Sequence, residues 1–81
     1  ECPTLVVQDR DEPGQVADMT TMLAQANINI ATMQLYRDVR GGVAVTVIEC
    51  DQEVPRESLH WLAERDGILK VTYLSMEEAP V

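Results

Sequence analysis

The chain has 81 residues, with 14 acidic against 6 basic side chains and a formal net charge of -8. A chain this acidic is repelled by phosphate backbones and anionic bilayers, which excludes sequence-independent nucleic-acid binding and attachment to a membrane surface. The apolar fraction of 46% is too high for a disordered acidic tail, and no apolar run approaches the roughly 18 residues of a membrane span. There is no signal-peptide pattern and position 1 is Glu, so the expectation is a cytoplasmic domain excised from a longer chain. Its size fits one domain over residues 1–81, with a core from about 4 to 74 and a tail over 75–81.

Residues 4–8, Thr4-Leu5-Val6-Val7-Gln8, are rich in β-branched side chains and predict a buried strand. A polar stretch over 9–12 leads to Pro13 and Gly14. Pro13 suits the first turn of a helix, with Asp11 or Glu12 capping the free N–H groups. Apolar residues at Val16, Met19, Leu23 and Ala26 then recur at helical spacing, and Asn27 suits a left-handed helix end. Over residues 28–39, Ile28 and Ile30 share one strand parity, whereas Met33 and Leu35 share the other. One strand buries both sets on one side only through a bulge, expected near Ala31 and Thr32. Arg40-Gly41-Gly42 is the expected turn into a returning strand over 43–50, forming an antiparallel hairpin.

An acidic loop over 51–54 precedes Pro55, which opens a second helix with Leu59, Leu62 and Ala63 facing inward. Gly67 ends it, residues 68–74 are the last strand, and 75–81 form a frayed tail. The order strand, helix, strand, strand, helix, strand predicts an α+β, ferredoxin-like βαββαβ sandwich. Right-handed crossovers place both helices on one face of a four-stranded antiparallel sheet and leave the other face partly bare.

Few residues suggest chemistry. His60, the single histidine, lies mid-helix beside Trp61 without a visible partner or cleft, and reads as a surface residue. Trp61 lies off the inward face, either partly buried against neighbours or contacting a partner domain. Cys2 and Cys50 lack metal-site spacing. They read as reduced thiols, with one bridge as the other reading, and the acids around Cys50 disfavour a nucleophilic thiolate. Asp9, Asp11 and Glu12 supply too few ligands for a metal cage, and Glu49, Asp51 and Glu53 read as solvated charges. No catalytic residue and no metal or cofactor site is assigned. The informative segments are the loop before the first helix, where N–H groups at a helix start suit a carboxylate, and Asn29, which opens the second strand.

The run Asp11-Glu12-Pro13-Gly14, the helix end at Asn27-Ile28-Asn29-Ile30-Ala31, Arg37 and Gly41-Gly42 resemble an ACT domain over residues 4–74. That family is the regulatory, amino-acid-binding ferredoxin-like module of metabolic enzymes. The stretches 29–37 and 47–52 look most like the C-terminal ACT domain of the β chain of bacterial iron–sulfur L-serine dehydratase. The terminal domain of D-3-phosphoglycerate dehydrogenase is the alternative.

In the latter group an effector serine lies between two subunits. The loop before Pro-Gly contributes from one chain, and the Asn opening the second strand from the other. By position the resemblance implies Asp9, Asp11 and Asn29, flanked by Pro13, Gly14, Gln15 and Ile30. Asn29 matches that pattern. Asp9 and Asp11 stand where His and Asn are frequent, so a carboxylate there repels the effector's carboxylate and pairs with its ammonium. For the dehydratase the resemblance implies a 4Fe-4S cluster in the catalytic chain, which eliminates water from serine to give pyruvate and ammonia. Two widely spaced cysteines do not hold that cluster here. The implied partners are a second copy in a homodimer, the catalytic chain of the parent enzyme and a small amino acid such as serine. The rival expectation is pure oligomerisation without a ligand.

Overall fold

Alternation along Thr4–Arg10 (β1) sends Leu5, Val7 and Asp9 to one face, all buried, and leaves Gln8 and Arg10 exposed on the other. The computed structural model describes residues 2–37 and 42–75. The elements that follow are Gln15–Gln25 (α1), Ile30–Arg37 (β2), Val43–Cys50 (β3), Arg56–Ala63 (α2) and Ile68–Leu74 (β4). All strand pairs are antiparallel and the sheet order is β2-β3-β1-β4. This is the expected ferredoxin-like βαββαβ arrangement, with β1 and β3 central and β2 and β4 at the edges.

The predicted bulge in β2 is present. The register with β3 shifts between Ile30, opposite Cys50, and Thr32, opposite Glu49. Extra backbone at Ala31 reverses the parity, so Met33 and Leu35 take the helix-side face opposite Ile48 and Thr46. A second irregularity, between Gln8 and Asp9 in the β1–β4 ladder, has no counterpart in the sequence reading. Gly42 has a left-handed backbone (φ 67°), and the expected turn residues Arg40 and Gly41 lie outside the described residues, as do residues 38–39 and the tail from 76.

The end of α1 follows its sequence. Asn27 is left-handed (φ 60°), its N–H donates to the Ala24 carbonyl, and the Ile28 N–H donates to the Leu23 carbonyl at 2.9 Å. These two bonds form a complete Schellman closure and tuck Ile28 into the core. The start of α1 differs from expectation. Pro13 and Gly14 form a turn ahead of the helix, Gly14 is the left-handed N-cap residue (φ 95°), and no side chain caps it. Asp11 is held elsewhere. The buried face of α1 is Gln15, Met19, Met22 and Leu23, so Val16, expected inside, is 38% exposed. Met19 and Leu23 lie inside as expected, and at the helix start Gln15 takes the inward place, lying over Gly67.

The core joins Leu5 and Val7 of β1, Ile48 and Cys50 of β3, α1, Leu62 of α2, and Ile28 and Val54 from the connections. Leu59 is half-buried and Ala63 is exposed, so Leu62 alone is the buried anchor of α2. Glu53 also departs from the expected solvated loop charge. It accepts hydrogen bonds from the Tyr73 hydroxyl (2.6 Å) and the Ser75 hydroxyl (2.8 Å), while Tyr73 accepts from the Val54 N–H at 2.8 Å. Burial and the bond to Glu53 push the Tyr73 phenol up to about 12.

Both cysteines are free thiols, Cys2 exposed and Cys50 buried. Burial pushes the Cys50 thiol up, and the nearby Asp51 and Cys2 act in the same direction. A disulfide reagent at pH 8 should therefore titrate one thiol rapidly in the native chain and the second only on denaturation. Two rapid equivalents would place Cys50 at the surface.

Candidate functional site

Sheet register assembles one end of the molecule. Arg37 on β2 stands opposite Ala44 on β3, Ala44 opposite Asp9 on β1, and Asp9 opposite Ile68 on β4. The row lies on the helix-side face. Strands spaced at about 4.8 Å put the Arg37 and Asp9 backbones about 10 Å apart, with only the Ala44 methyl between them. Beyond β1 the chain forms the loop of residues 10–14, tied down on two sides. The Arg10 N–H donates to the Gly67 carbonyl and the Asp11 N–H to the Gly42 carbonyl, both at 2.8 Å. Asp11 thereby meets Arg37, whose Nε donates to Asp11 Oδ2 at 2.9 Å.

Among the described residues, three buried polar atoms have no hydrogen-bond partner: Asp9 Oδ2, Gln15 Oε1 and Thr46 Oγ1. Asp9 is 2% exposed, Thr46 fully buried and Gln15 7% exposed. Thr46 stands opposite Val7, one step along the same face from Asp9. Gln15 lies over Gly67, with its amide nitrogen 3.4 Å from the Asp66 carbonyl. Burial raises the Asp9 carboxyl above the usual aspartate range, and the neighbouring Asp11 charge adds to this. Unpaired buried polar atoms are costly, and a donor group reaching Asp9 Oδ2 or Gln15 Oε1 would offset that cost.

The other candidates are placed as follows. Pro13 and Gly14 are exposed on the loop, and a Cβ at Gly14 would meet nothing within 4 Å. The glycine there serves its positive φ rather than a close approach. Asn29 and Ile30 lie at the opposite end of β2. The span from Ile30 to Arg37 at about 3.3 Å per residue is roughly 23 Å. Asn29 is held by its backbone, donating its N–H to Gln52 Oε1 and accepting from the Asp51 N–H, both at 2.9 Å. One chain thus brings Asp9, Asp11 and Gln15 together and leaves Asn29 and Ile30 apart. Arg37 and Thr46 were missed as site residues by the sequence reading. Apolar residues on both faces of β3 hide the parity of Thr46, and only the hairpin register brings Arg37 to Asp11.

Among the described residues no group of three or more His, Cys, Asp or Glu is placed to hold a metal ion, and no helix is long and apolar enough to cross a membrane. His60 lines an open cleft of about 550 Å³ between α2 and β4, with Arg56, Leu59, Glu64, Val71 and Tyr73 among its walls. This cleft is on the sheet edge away from β2. Trp61 is 39% exposed, with the Arg65 guanidinium 4.8 Å from its ring centre.

The ACT domain family model matches residues 4–59. A probable L-serine dehydratase β chain from Bacillus subtilis is 30% identical over 73 residues, covering 90% of this chain and 33% of that protein. D-3-phosphoglycerate dehydrogenase from Methanocaldococcus jannaschii is 30% identical over 71 residues, covering 88% of this chain and 14% of the enzyme. The chain therefore spans a third or less of these relatives. Among solved structures, a formyltetrahydrofolate deformylase from Pseudomonas putida superposes with a TM-score of 0.83 at 17% identity, covering 99% of this chain and 30% of that one. The ACT domain from GTP pyrophosphokinase of Chlorobium tepidum superposes with a TM-score of 0.68 at 16% identity, covering 89% and 95%. With the fold and the family match in agreement, the chain belongs to the ACT domain family.

Proposed function

We propose that this chain is a non-catalytic regulatory and assembly domain that pairs with a second copy and binds a small amino acid across the pair. The observation that carries this reading is the uncovered edge strand β2. Leu35 is on the helix side of the sheet yet 45% exposed, with Val16 on α1 and Ile30 also open. A second copy packed antiparallel along α1 and β2 would cover this apolar shelf. It would also carry the partner's Asn29 across to the loop of residues 10–14, joining the two halves of the site.

The similarity to an L-serine dehydratase β chain and to D-3-phosphoglycerate dehydrogenase supports a parent enzyme that handles serine or makes its precursor. The dehydratase is the first reading, with elimination of water from L-serine to give pyruvate and ammonia in the cytoplasm. The dehydrogenase, with serine as feedback effector, is the second, favoured by the equal identity of its relative. A 4Fe-4S cluster in the dehydratase reading belongs to the catalytic chain. Cys2 and Cys50 do not supply the four thiolates such a cluster takes.

The test is a thermal-shift series against serine and other small amino acids, run with light scattering to fix the oligomeric state. A dimer whose midpoint rises selectively with an amino acid supports the reading; at 100-fold over Kd the gain is about 2.7 kcal/mol. Asn29→Ala should abolish that rise and leave the ligand-free midpoint unchanged, because the side chain is exposed and fills no core volume. A dimer indifferent to every amino acid would leave assembly as the sole role, and a monomer would refute the pairing.

A further inference from the structure

We infer that Arg37 and Asp11 read the two charges of one bound amino acid, the guanidinium taking its α-carboxylate and the aspartate its α-ammonium, so that the ligand replaces the contact between them. The inference rests on the amino-acid-binding reading above and assigns the chemistry that selects the ligand.

Charge makes the argument. Asp11 and Glu12 in the loop, with Asp9 buried at the end of β1 beside them, repel a bare carboxylate unless a cation receives it. Arg37 supplies that cation, and its planar fork matches a carboxylate. The pair is at the surface, with the Arg37 side chain 63% exposed and Asp11 27% exposed. Such pairs contribute little to stability, so exchanging their contact for a ligand costs little.

Among the described residues two buried acceptors, Asp9 Oδ2 and Gln15 Oε1, and the Thr46 hydroxyl, which both donates and accepts, have no partner. An ammonium carries three N–H donors and no acceptor, which suits the two acceptors. In the same row only the Ala44 methyl stands between Arg37 and Asp9. An amine without a carboxylate would take Asp11 away from Arg37 and leave the guanidinium unpaired. A carboxylate without an amine would leave the buried acceptors unsatisfied. Only a zwitterion answers both.

The experiment is calorimetric titration of the purified protein with a panel of L-amino acids. The tightest binder is then compared with its own decarboxylated amine and its own deaminated acid; for serine these are ethanolamine and 3-hydroxypropanoate. Each analogue should bind at least tenfold more weakly than the amino acid. Arg37→Gln and Asp11→Asn should each weaken the amino acid at least tenfold, with circular dichroism unchanged. In Arg37→Gln the preference over the amine should collapse, because ligand carboxylate and guanidinium are then removed from one interaction. Arg37→Lys, which keeps the charge and loses the fork, should recover part of it. Unchanged affinity in both variants, or an intact preference over the amine in Arg37→Gln, overturns the inference and leaves the pair as a loop fastener with amino-acid binding intact. Wild-type protein that binds no amino acid overturns the amino-acid reading, and this inference with it.

Discussion

Leu62→Ala is expected to lower the unfolding free energy by about 3 kcal/mol, within the range of roughly 2–5 kcal/mol for buried leucines. Leu62 is the one buried side chain of α2, at 0% exposure. The helix has only 8 residues, and helices shorter than about 12 residues do not hold themselves in water. Its helicity depends on that anchor and on its packing against β4. For a small domain with a total of roughly 5–10 kcal/mol, such a loss consumes a third or more of the stability. Leu59→Ala, at a half-buried position on the same helix, should cost about half as much. Urea denaturation of the two variants checks the order. Equal losses would mean that α2 docks through its whole inner face rather than through one residue.

The second large effect concerns Asp9. Its carboxyl is buried with Oδ2 unpaired, and burial followed by the Asp11 charge raises its affinity for a proton in the folded chain. A group whose folded pKa lies above its unfolded value binds protons more readily when native. Its favourable contribution is present in acid and is lost as the pH rises through the folded pKa. Above the ordinary aspartate range Asp9 therefore opposes folding, because the folded chain must either bury its charge or take up a proton. Asp9→Asn should raise stability at pH 7 by about 1–3 kcal/mol, the scale of an unsatisfied buried polar group. The gain should disappear below the ordinary aspartate range, where wild type is also neutral. Paired urea titrations at acid and neutral pH measure this difference. A variant less stable than wild type at pH 7 would show that the ionised carboxylate is satisfied in solution. The same variant should lose the thermal response to an amino acid, since a residue held at a cost to stability is expected where it serves binding.

Much of the fold was legible because it is written in local chemistry. The runs around Val6 and Val45 carry β-branched side chains, Asn27 takes the positive φ that ends α1, and the parity clash between Ile30 and Met33 required a bulge. Gly67, the expected end of α2, instead turns the chain into β4, because α2 already ends at Ala63 with a right-handed cap at Glu64. Pro13 misled because proline suits both a first helical turn and a preceding β-turn. The left-handed Gly14 decides for the turn and leaves Asp11 free to bond Arg37. The site was only half legible. Asp9 and Asp11 announced themselves by type and position, but Thr46 is one of several β-branched residues on a strand that is apolar on both faces. Arg37 lies 26 residues from its partner in the chain.

The sequence by itself determined the order and type of the elements, the left-handed end of α1, the bulge and the family, because these depend on backbone preference and side-chain period over a few residues. Tertiary structure alone decided that Gln15 rather than Val16 faces inward, that Asp9 is buried with its Oδ2 unpaired, and that Arg37 reaches Asp11 while Asn29 lies at the far end of β2. Those outcomes follow from strand register and from how α1 sits over Gly67. Both are set by packing between segments distant in the chain, and a local pattern does not encode them.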